Sequence, residues 1–96
     1  MKLYLLSQSV ADGYDTYDSV VVAAKSIKDA RTIHPSSFVT HHKNGKWMWT
    51  YSAWGEYETE AWRSWVGFYH IDMIEVKYLG ETKEPRWVIL ASFNAW

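Results

Sequence analysis

The sequence predicts an α+β domain: a single, mostly antiparallel sheet with one or two short helices packed on a face. Three observations carry that expectation. Short β-branched or alternating runs (KLYLLSQ, SVVVAA, WVILASF) lie towards both ends of the chain, SIKDARTIHP carries the start and stop signals of a short helix, and Asn44-Gly45 marks a hairpin. The order strand, strand, helix, hairpin, short helix, strand, strand suits one sheet with helices on a face.

The first strand, KLYLLSQ, places Leu3 and Leu5 on one face and Tyr4 and Leu6 on the other. SVADGYDTYD follows, rich in Gly, Asp and Ser, and reads as a loop. SVVVAA is continuously apolar and β-branched, the pattern of a strand buried on both faces. In SIKDARTIHP, Ser26 is the expected N-cap and Asp29 stands where a capping box places an acid. Ile27, Ala30 and Ile33 share one side of that helix, and Pro35 ends it. Asn44-Gly45 is the favoured pair for a two-residue turn with positive φ at both positions. Its arms run 38–43 and 46–51, with Trp47, Trp49 and Tyr51 on one face of the second arm and Lys46, Met48 and Thr50 on the other. The stretch 55–70 is ambiguous: EAWRSW allows about two helical turns, whereas YETEAW alternates as a strand does. IDMIEVKYLG reads as a strand, GETKEPR as an exposed turn and WVILASF as the last strand.

One domain, residues 1–96, accounts for the length, with an aromatic-rich elaboration at about 37–73. The chain has no cysteine, so thiolate catalysis, disulfide frameworks and cysteine zinc sites are excluded. Net charge is −1, without the basic footprint of a duplex DNA binder. The charge is uneven: residues 37–55 sum to +2 and residues 56–75 to −4. No run of about 18 apolar residues occurs, and the apolar stretch after Met1-Lys2 is too short for a signal peptide, so the expectation is a cytoplasmic protein without a membrane span.

Familiar chemistries find little footing. Asp12, Asp15 and Asp18 recur every third residue, which is not the ligand spacing of an EF-hand loop and reads as turn chemistry. Glu56, Glu58 and Glu60 would line one face of a strand as a solvated acidic rim. His41 and His42 are adjacent and point to opposite faces of an arm, a poor joint ligand pair, and His34 reads as a helix C-terminal residue meeting the dipole. No HExxH, GxSxG or phosphate-loop pattern is present. The expectation is therefore a protein with no catalytic residues, no metal and no cofactor.

Five of the seven tryptophans fall between Asn44 and Trp65. Each buried indole removes about 150–250 Å² from water, so a domain of this size needs only one or two as anchors. Three readings follow: core, a protein interface that includes a homodimer, or a platform stacking a nucleotide or single strand. The expected partner-binding surface is Trp47, Trp49, Tyr51, Trp54, Trp62 and Trp65. An alternative site for a small ligand gathers Tyr14, Asp15, Tyr17 and Asp18 from the loop near Asn94, with Lys46 or Arg63 to meet a phosphate.

The segments YDTYDS (Tyr14 to Ser19), VVAA (Val21 to Ala24), IHP (ending at Pro35), YLGE (Tyr78 to Glu81) and ILASFNA (Ile89 to Ala95) resemble the two ends of a family of small, largely uncharacterised phage, prophage and bacterial proteins. The likeness covers about three-fifths of the chain; the middle is longer and more aromatic than the family's usual connection, and Trp96 stands where a glycine is expected. The resemblance implies that the two ends form a common sheet and that the middle presents a surface. With the missing catalytic motifs, the expectation is a non-enzymatic interaction protein, and the phage resemblance favours a host protein, a defence protein among the options, bound or inhibited through the exposed aromatic surface. The alternative is a module that sequesters a nucleotide-like small molecule.

Overall fold

The computed structural model describes residues 1–10, 16–36, 39–51, 55–58 and 64–94. Its strands are β1 (Lys2–Ser7), β2 (Thr16–Ala24), β3 (His41–Lys43), β4 (Lys46–Tyr51), β5 (Gly55–Glu58), β6 (Glu75–Glu81) and β7 (Trp87–Asn94); one helix, α1 (Ile27–Ala30), and a 3-10 segment, Phe68–Met73, join them. The α+β class is observed. The strands divide between two sheets, because the hairpin pairs with β5 and stays apart from the larger one: β6-β1-β2-β7 and β3-β4-β5, each antiparallel.

Alternation along β1 and β2 sets the inner face of the four-stranded sheet. Tyr4, Leu6, Val20, Val22 and Ala24 are buried there, and the core continues through Ala30, Ile33, Val39, Trp47, Trp65, Val66 and Ile74. Residues from β4 and from 64–66 thus share one cluster with the main sheet. Three extra residues interrupt the main ladders: Asp18 on β2, Leu79 on β6 and Ile89 on β7. Two lie on the edge strands, where a bulge twists the exposed hydrogen-bonding row and discourages pairing with another chain.

β6 and β7 are not a hairpin, although the intervening segment reads as a simple turn. They occupy opposite edges, three strand spacings or about 14 Å apart, and residues 82–86 carry the chain past the ends of β1 and β2. Two anchors hold that crossing: Thr82 N–H donates to Met1 O at 2.9 Å, and Arg86 Nε donates to Asp29 Oδ1 at 2.8 Å.

The helix is shorter than expected. Ser26 caps it, its Oγ accepting from Asp29 N–H at 3.1 Å, while Asp29 Oδ2 accepts from Lys25 N–H. It ends at Arg31, well before Pro35, because Arg31 turns to donate to Ile74 O and Ile33 N–H bonds Ala30 O in a tighter turn. Ile27, expected on the buried side with Ala30 and Ile33, is instead 46% exposed; one turn is too short to build that stripe. The hairpin forms as expected, with φ of 54° at Asn44 and 75° at Gly45. The positive φ favours glycine at 45; a Cβ there would also sit 2.9 Å from Tyr69 Cε1, though that exposed ring is able to shift. Residues 55–58 are strand, and residues 59–63, which carry most of the expected second helix, lie outside the described residues. Ile71–Met73, expected as the start of a strand, belong to the 3-10 segment.

Candidate functional site

Two of the six tryptophan-cluster residues correct the expectation of an exposed surface. Trp47 is 3% exposed and Trp65 is fully buried. Trp47 is drawn inward by three partners: its Nε1 donates to Val66 O at 2.9 Å, and its ring meets His34 and Phe68 edge-on, each at 5.1 Å between centroids. Trp49 is half-buried, 5.9 Å from the Tyr57 ring across the β4–β5 ladder. Tyr51 lies in β4 opposite Gly55. Trp54 and Trp62 lie outside the described residues.

Of the alternative ligand set, Tyr17 and Asp18 do lie near Asn94, on paired strands, while Lys46 is at the hairpin turn. Tyr17 and Asp18 belong to β2 and not to a loop, since β7 extends far enough to pair Thr16 with Asn94 and Tyr17 with Phe93. The backbone there is tied on both sides, by Tyr17 N–H to Ser64 O and by Gln8 Nε2 to Tyr17 O. Lys46 is exposed at the hairpin turn. Tyr14, Asp15 and Arg63 lie outside the described residues.

What the fold does bring together is a set of residues that sequence spacing did not join. A recess of about 230 Å³ opens between the end of α1, the β3–β4 hairpin and the start of β7, lined among others by Thr32, Thr40, His41, His42, Arg86 and Trp87. His34 also lines it, but as a core residue and not a helix terminus: it is buried, and its Nδ1 accepts from Ser36 N–H at 2.9 Å, leaving the ring proton of the neutral form on Nε2. Thr40 Oγ1 bonds His41 Nδ1 at 2.8 Å. His42 stacks on Phe68 at 4.4 Å and 19°. Burial, followed by the neighbouring His41 and Arg86 charges, holds the His42 ring below the usual imidazole range. Arg86 is fixed by Asp29 and by Nη2 donating to Thr32 Oγ1 at 3.0 Å.

A second, more open groove of about 540 Å³ shares Thr32 and His42 with the recess and continues over Ile27, Phe68 and Ile71, rimmed by Lys28, Arg31 and Asp72. Among the described residues no carboxylate, serine or cysteine lines the recess; those present offer donors, imidazoles and two threonine hydroxyls. Among the described residues no group of three or more potential ligands is placed to hold a metal ion. The only spacing signal that could have led here is the pair IHP and HH, seven residues apart, and it becomes visible only once the strand register is known.

The outer face of the four-stranded sheet is the other conspicuous surface. Register places its residues in three rows across the strands: Glu75, Ser7, Ser19, Ser92; then Lys77, Leu5, Val21, Leu90; then Gly80, Leu3, Ala23, Trp87. Leu90 is 68% exposed and Trp87, Ile89 and Leu79 are also open to solvent. The apolar positions occupy only three strands about 4.8 Å apart and two rows about 6.6 Å apart, an area on the order of 200 Å², with Ala23 at its centre fully buried. That is about a quarter of one side of a standard protein interface.

Among the described residues no helix is long and apolar enough to cross a membrane. No protein-family model matches this chain, and no curated protein or solved structure matches it either.

Proposed function

We propose that this is a non-enzymatic interaction protein whose partner docks on the outer face of the four-stranded sheet. The observation that carries the reading is the row Leu5–Val21–Leu90, in which two half-buried aliphatic side chains lead to a leucine 68% exposed. This moves the recognition surface expected at the tryptophan cluster to the opposite side of the sheet. The resemblance to phage and prophage proteins favours a bacterial host protein, a defence protein among them, as the partner. An apolar area of about 200 Å² is about a quarter of what one side of a standard interface buries, so the partner also covers the rim, where Lys77 and Glu75 supply charge at one edge and Trp87 an aromatic anchor at the other.

Leu90→Arg and Val21→Arg test this, each checked for fold by circular dichroism. The unaltered protein is expected to retain a specific partner from bacterial lysate and the arginine variants to lose it. Light scattering on the pure protein distinguishes a second copy on the same face. A monomeric protein whose captured partner is equally retained by both folded variants overturns the reading.

A further inference from the structure

The recess and the neighbouring groove have a use independent of the sheet face. Three imidazoles and one guanidinium line the cavity, and among the described residues no carboxylate does, although Asp29 pairs with the guanidinium from outside it. Such a lining favours an anion, and the planar guanidinium fork suits an oxyanion in particular. Asp29 and Thr32 engage Nε and Nη2 of Arg86, which orients the fork before any ligand arrives and leaves Nη1 outside those two bonds. The volume decides the ligand's size: about 230 Å³ falls below the range of about 300–1,000 Å³ typical of sites for whole drug-sized molecules. The recess therefore takes a headgroup, and the rest of the ligand continues into the groove that shares Thr32 and His42 with it. That groove is walled by Ile27, Phe68 and Ile71, so its occupant is apolar or aromatic.

We propose that the recess binds the phosphate end of a phosphomonoester, with an apolar or aromatic body lying along Ile27, Phe68 and Ile71. His42 and Arg86 are the principal donors to the phosphate, from β3 and from the crossing into β7; His41, its strand neighbour on the opposite face, and Thr40, bonded to it, border the same recess. Lys28 and Arg31 on the groove rim outnumber Asp72 and favour the same sign of ligand. Burial first, and then the His41 and Arg86 charges, hold His42 below the usual imidazole range, so it meets a ligand as a neutral hydrogen-bond donor unless a bound anion raises it.

The test uses inorganic phosphate and phenyl phosphate as probes, with sodium chloride at matched ionic strength as control, read by histidine ring resonances in NMR at slightly acid pH. Phosphate is expected to shift His41 and His42 saturably at millimolar concentration and to raise the His42 pKa, while phenyl phosphate binds more tightly and also shifts the Phe68 ring. His42→Gln is expected to weaken both by about tenfold or more, equivalent to about 1.4 kcal/mol. Arg86→Gln does the same if it folds without its Asp29 bond; His42→Gln decides the matter if it does not. Shifts reproduced by chloride, or unchanged in folded His42→Gln, overturn the oxyanion site. Phenyl phosphate binding no tighter than phosphate overturns the role of the groove.

Discussion

Trp47 and Trp65 are the same residue type with opposite hydrogen-bond accounts. Trp47 Nε1 has Val66 O at 2.9 Å, whereas Trp65 Nε1 is buried with no hydrogen-bond partner. Replacing either by phenylalanine removes similar apolar volume. Trp47→Phe also strips Val66 O of its donor, and an unsatisfied buried polar group costs about 1–3 kcal/mol. Trp65→Phe removes a donor that was already unsatisfied, which offsets part of its packing loss. Urea denaturation is expected to rank Trp47→Phe as the more destabilising by at least about 1 kcal/mol; equal midpoints would refute the assignment. Composition signalled that indoles were in excess of what a small core needs, but not which of them are core. That choice depends on Val66 and Phe68 reaching Trp47 from some twenty residues away, a contact with no trace in local spacing.

At the level of elements, α1 is held less by its own turn than by Asp29. Its partial burial works to raise the carboxyl, but hydrogen bonds from Lys25 N–H and Arg86, with the charges of both residues, outweigh this and hold it below the usual range. A group whose folded pKa is depressed contributes stability above its unfolded value, about 3.9 for Asp, and loses it as pH falls through the folded value. Acid unfolding of the native chain should therefore show a component below about pH 4 that Asp29→Asn lacks; an unchanged pH profile would refute it. The capping pair Ser26 and Asp29 was legible in the sequence because a capping box is a local pattern. So were the Asn44-Gly45 turn and the alternation of β1, both set by neighbouring residues. The length of α1, the start of β2 at Thr16 and the crossing from β6 to β7 were not, because each is fixed by a distant bond: Arg31 to Ile74, Tyr17 to Ser64, Arg86 to Asp29. The recess depends on two of those same elements, which is why its residues looked unrelated along the chain.

For the molecule as a whole, two sheets raise the question of whether they fold as one. A small three-stranded sheet is at the lower limit of independent stability and needs an apolar face to cover. Trp47 supplies that face, and it belongs to the cluster that includes Leu6, Val20 and Val22 from the main sheet. The second sheet therefore has no separate core among the described residues, and its loss should accompany loss of the first. Far-UV circular dichroism follows the strands generally, while indole emission is weighted towards residues 47–65, which hold five of the seven tryptophans. The two are expected to trace one coincident transition. Leu6→Ala, a deletion at a fully buried position of the main sheet, should lower stability by about 2–5 kcal/mol and move both traces together. An emission transition that stays in place while the circular dichroism shifts would show that residues 41–58 are a separate cooperative unit. Burial of Trp47 would then contribute nothing to holding the main sheet, and the recess between them would open without global unfolding.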